Sequence, residues 1–137
     1  MFPSIHLHFA LVLAMLAGIP ERKDPEIRPE NLEIAEGYYL CNGKIADKEY
    51  EGIVVIRKHG DSYILQWVIG LEAYFGVGMR DGDRLVVGWS SSAGKGVTVY
   101  QVGSKKLVGT WVAIPGNGKV HEETLELLKP IKKPHSE

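Results

Sequence analysis

Three times along this chain, two β-rich runs are joined by no more than three residues: His59-Gly60-Asp61, Asp81-Gly82-Asp83 and Gly103-Ser104-Lys105. A parallel strand pair needs a crossover of a dozen residues or more, so connections this short admit only antiparallel hairpins. The connections at Ser90 to Lys95 and Pro115 to Gly118 are longer but still loop-sized. Between the turns, runs rich in Val, Ile, Tyr, Trp and Thr predict strands near 37–42, 50–58, 62–69, 72–79, 84–90, 96–102, 106–114 and 119–128. The last of these contains HEETLELL, whose residues also favour helix.

An internal repeat supports the same reading. Gly52 to Trp67 aligns without a gap on Gly96 to Trp111: glycine opens both units, Val55 matches Val99, the turn falls at the same place and tryptophan closes both. Gly76 to Trp89 is a shortened copy, and Trp67, Trp89 and Trp111 are evenly spaced. By alternation each tryptophan shares a face with Tyr63 and Leu65, Leu85 and Val87, or Leu107 and Gly109. All three indoles are therefore expected to be largely buried. The opposite face mixes Gln66, Thr110 and Ser90 with Ile64 and valines. A meander with one apolar face protects its edges best by closing. The expected fold is all-β: an antiparallel up-and-down meander of about eight strands closing into a small barrel.

The chain has 137 residues, which suits one domain, and its 45% apolar content can fill a core. Sixteen basic against 17 acidic residues leave a net charge of −1, too little to draw in nucleic acid or an anionic membrane, so no nucleic-acid partner is expected. Leu7 to Ile19 is an apolar run with no charged residue before Glu21, and Ala14, Ala17 and Gly18 offer a cleavage neighbourhood. Its length suits a signal peptide and is short for a membrane span. Residues 1–19 therefore read as a signal peptide, and the protein is expected to be exported, to the periplasm, cell surface or medium, with no stable membrane span after cleavage. A buried N-terminal helix or an uncleaved anchor is the alternative. Residues 20–36 read as a charged, proline-containing linker, 37–128 as the barrel domain and 129–137 as a disordered tail. Cys41 is the only cysteine, so it has no intramolecular disulfide partner and reads as a buried, inert thiol.

Three Trp and six Tyr offer large flat faces with polar tips, which can line a pocket for a small apolar or aromatic ligand. The candidate ligand-binding residues are Trp67, Trp89, Trp111, Tyr63 and Tyr100. A barrel that these side chains simply fill is the competing reading. In His121-Glu122-Glu123, His121 and Glu123 share a strand face, but with no second histidine near in sequence the cluster reads as a solvated polar face and no metal site is expected. Ser90, Ser91 and Ser92 lack a nucleophile elbow. Ser92-Ala93-Gly94-Lys95-Gly96 lacks the spacing of a phosphate loop and precedes a strand. No catalytic residue and no cofactor is assigned. A barrel enzyme using His121, Glu123 and Asp83 is the alternative class, and a surface adhesive or structural module a third.

Leu107-Val108-Gly109-Thr110-Trp111 carries a Gly-x-Trp signature, echoed in Val87-Gly88-Trp89, and resembles the calycin barrels, the avidin-type and lipocalin-type proteins. The resemblance implies a calycin-like barrel architecture. The pattern of Gly37, Tyr39, Cys41 and Gly43, then Tyr50 and Gly52, with Trp67, Gly76-Val77-Gly78 and Trp111, is similar to short exported bacterial proteins of unknown role, sometimes called fibronectin-binding. That resemblance implies export and no established mechanism. The expected partner is a small apolar ligand or an extracellular macromolecule.

Overall fold

A computed structural model describes residues 31–132. The apolar run at Leu7 to Ile19, the export signal read from it, residues 20–30 of the linker and residues 133–137 lie outside the described residues. Eight strands follow one another: β1 (Gly37–Ile45), β2 (Lys48–His59), β3 (Ser62–Ile69), β4 (Glu72–Asp81), β5 (Arg84–Ser90), β6 (Lys95–Gly103), β7 (Lys106–Ile114) and β8 (His121–Pro130). Each pairs antiparallel with its neighbours in the chain, and β1 pairs with β8 to close the barrel. The three short turns are hairpins as expected. Gly60 and Gly82 take the positive φ that such turns require, and Lys105 supplies it at the third turn at a φ of 58°.

Two boundaries differ from expectation, while the last strand, expected over 119–128, forms. The first hairpin turns through Ala46 and Asp47, with Ala46 at a φ of 55°, so β1 runs on past the expected end at residue 42, through Asn42-Gly43, a pair that usually marks a turn. HEETLELL is strand because both β1 and β7 pair with it, and that pairing overrides its helix propensity. The strand also continues to Pro130, which takes residues 129 and 130 out of the expected tail, and the Ile131 amide donates to the Glu36 carbonyl.

The two ends of the barrel are finished differently. One carries the β2–β3, β4–β5 and β6–β7 turns, and its interior is packed with buried Tyr39, Ile56, Tyr63, Leu85, Val102 and Leu107. Residues 31–36, expected to be loosely ordered linker, lie across this end as a strap. Ile34 joins the core and Leu32 packs against it. The Tyr39 hydroxyl donates to the Ala35 carbonyl at 2.5 Å, the Lys58 amide donates to Glu36 Oε1 at 2.7 Å, and Arg80 Nη1 donates to the Leu32 carbonyl. Burying the Ile34 side chain is worth roughly 1.5–3 kcal/mol, which offsets part of the entropy lost on ordering the segment and acts together with Leu32 and these hydrogen bonds. On the outside, Phe75, Val77, Val97 and Val112 are exposed beside the equally exposed Gln66 and Thr110, the mixed face that alternation predicts.

Candidate ligand pocket

At the other end, glycines alternate with large rings. Glu123 on β8 is flanked in register by Gly43 of β1 and Gly109 of β7. The ring of Tyr50 lies over Gly43 and that of Tyr100 over Gly109, so a methyl group on either glycine would run into an aromatic ring. This close approach brings donors onto the carboxylate. The Tyr50 hydroxyl donates to Glu123 Oε1 at 2.9 Å, Trp67 Nε1 donates to Oε2 at 3.3 Å, and the Tyr100 hydroxyl also donates to Oε2. Glu123 is only 6% exposed. Among the described residues, no lysine, arginine or histidine forms an ion pair with it.

The surroundings of this carboxylate respond to its charge. Burial, then the charge of Glu123, pushes the Tyr50 and Tyr100 phenols and the Cys41 thiol up from their ordinary values. Cys41 is fully buried and held as the thiol, the form without nucleophilic reactivity.

A cavity of about 110 Å³ opens above Glu123, walled by Tyr50, Trp67, Tyr74, Trp89 and Trp111, with Ile45, Ile69 and Thr98 completing the lining. Successive rings meet edge to face: Tyr74 and Trp89 at 5.7 Å and 77°, Trp89 and Trp111 at 6.0 Å and 74°, Trp111 and Tyr50 at 6.4 Å and 69°. Rings meeting near the perpendicular form the corners of a box rather than a stack. His121 packs beside Trp111 at 4.5 Å between ring centroids. The indole N–H groups are spent within the protein: Trp89 Nε1 donates to Thr98 Oγ1 at 3.0 Å and Trp111 Nε1 to the Tyr50 hydroxyl at 2.9 Å.

Of the residues singled out from sequence, Trp67, Trp89 and Trp111 come together around this cavity. Only Trp67, at the floor, is buried; Trp89 and Trp111 are half-buried because the interior is open at this end, which corrects the expectation for all three. Tyr100 touches Glu123 from below the cavity without lining it. Tyr63 stands at the closed end of β3, in the packed core. The reading of His121-Glu122-Glu123 as a solvated face is overturned at Glu123, which is in phase with buried Leu125 and points inward. Asp83 sits in the β4–β5 turn at the closed end, where its Oδ2 accepts from Gln101 Nε2 at 2.6 Å, so it does not join His121 and Glu123. Ser91 Oγ accepts from the Ala93 amide at 3.1 Å, an ordinary turn contact. No group of three His, Cys, Asp or Glu side chains placed to hold a metal occurs among the described residues. Sequence reasoning missed Tyr50, Tyr74 and Thr98 as pocket residues and named Glu123 only within the alternative acid–base set. Parity was the available signal for Glu123, since it alternates in step with Leu125 and Leu127. No protein-family model and no curated protein matches this chain.

Proposed function

We propose that the barrel is an exported, non-enzymatic binding protein that holds a small ligand in the aromatic pocket at its open end. The observation that carries this reading is the box of four rings around a cavity of about 110 Å³, in a barrel whose opposite end is sealed by the 31–36 strap. Concave, largely apolar sites with one convergent polar group are the usual form of small-molecule pockets. The calycin resemblance supports the same use of a barrel mouth, and export rests on the run from Leu7 to Ile19.

The test is a titration with small aromatic and aliphatic probes, followed by tryptophan fluorescence and thermal unfolding. Binding should quench saturably and raise the unfolding temperature with probe concentration, as linkage requires. Trp111→Leu should weaken the response while the chain still folds. Quenching that never saturates and leaves the unfolding temperature unmoved would overturn the reading.

A further inference from the structure

We infer that the ligand class of this pocket is a small organic cation, an ammonium head group seated among the rings with its charge against Glu123. The inference rests on the pocket reading above and deepens it. Its first support is what the walls have left to offer. The N–H groups of Trp67, Trp89 and Trp111 and the hydroxyls of Tyr50 and Tyr100 all donate to protein acceptors. Among the pocket's ring donors only the Tyr74 hydroxyl makes no hydrogen bond among the described residues. An anion entering the box would find as donors only the Tyr74 and Thr98 hydroxyls, set against ring faces and a carboxylate. A cation would meet the negative faces of the rings and an acceptor.

The second support is the charge balance at the floor. Oε2 of Glu123 accepts from Trp67 and Tyr100, Oε1 accepts from Tyr50, and the Cys41 thiol is a further donor to the carboxylate. These donors are all neutral. They solvate the carboxylate but do not balance its charge, and a buried charge is tolerated best when paired. Within the described residues the protein brings no cation to it, so the pairing charge is left for the ligand to supply.

Shape is the third support. Rings at 69–77° to their neighbours turn several faces toward one volume, the arrangement in which a tetrahedral ammonium touches more than one ring at once. The cavity of about 110 Å³ is smaller than the roughly 150 Å³ that takes up benzene, so it fits a head group rather than a large molecule.

The experiment compares choline with dimethylbutanol, the neutral analogue in which carbon replaces the ammonium nitrogen, on the full chain and on Glu123→Gln. In the unmodified protein choline should bind about tenfold more tightly or better, a preference of the size expected for cation–π contact plus a partly desolvated charge pair. In Glu123→Gln the preference should fall severalfold, to the part the ring faces alone supply, while dimethylbutanol binding persists. Equal binding of both probes to the unmodified protein would overturn the cation assignment and leave the pocket reading standing. A preference for choline undiminished in Glu123→Gln would overturn the role given to Glu123. Saturable binding of neither probe would overturn both readings. Should Glu123→Gln fail to fold, the two probes on the unmodified protein decide by themselves.

Discussion

At the closed end of the barrel, side chains such as Ile56, Leu85, Val102 and Leu107 occupy inward positions and reach the axis, whereas at the open end wide rings lie across glycines. Trp89 covers Gly96, its register partner, just as Tyr50 covers Gly43 and Tyr100 covers Gly109. A position without a side chain lets its neighbour's ring lie flat against the wall. At the mouth, the axis is then left empty. The same alternation of inward and outward residues thus yields a solid at one end and a box at the other, and residue shape rather than strand pattern makes the difference.

The sharpest way to break this comparison is at the tryptophans. Trp67→Ala should destabilise the fold by roughly 3–5 kcal/mol, because it empties packed volume and removes a donor from Glu123. Trp111→Ala, at the half-buried mouth, should cost only about 1 kcal/mol in the same chemical-denaturation measurement. Equal losses would mean that the mouth is as solid as the core. Next, Ile34→Ala should cost about 2 kcal/mol by loosening the strap, while probe affinity at the far end stays unchanged. A parallel loss of affinity would show that the two ends are coupled.

An equally small effect at neutral pH belongs to Tyr39. Tyr39→Phe removes its hydrogen bond to Ala35, worth about 1 kcal/mol. Its larger signature is alkaline. Burial, with a lesser contribution from Tyr63, raises the Tyr39 phenol from 10.0 to about 12. As pH rises the unfolded chain gives up this proton first, so the stabilisation is complete below pH 10.0 and lost as pH climbs through about 12. Tyr50 and Tyr100 are displaced in the same direction. Tyrosinate absorbance followed alongside unfolding should show Tyr39→Phe losing less stability over that interval; an unchanged profile would place the Tyr39 phenol in a wetter setting than the closed end provides.

The strand framework was legible because turn chemistry is local. Gly60 and Gly82 mark their hairpins within a few residues, whereas Ala46 adopts the same left-handed backbone without any residue type announcing it. The floor of the pocket was not legible for a different reason. Glu123 gains its donors from Tyr50, Trp67 and Tyr100, far away along the chain, and an acidic residue between two other polar ones reads as solvated until those partners are placed. Alternation ranks faces, not the volumes behind them. It put three indoles inside a barrel but could not tell that all three would border an empty space.

Every pairing in this sheet except that of β1 with β8 joins strands consecutive in the chain. Folding can therefore proceed by zipping hairpins, with one long-range step left over, and the entropy of closing that last loop grows only with the logarithm of its length. Glu123 stands on one side of this seam, while Gly43 and the ring of Tyr50 stand on the other. A chain with its hairpins formed and its seam unzipped would have walls but no floor. Ligand uptake would then clock the final step of folding, appearing only when the ring shuts.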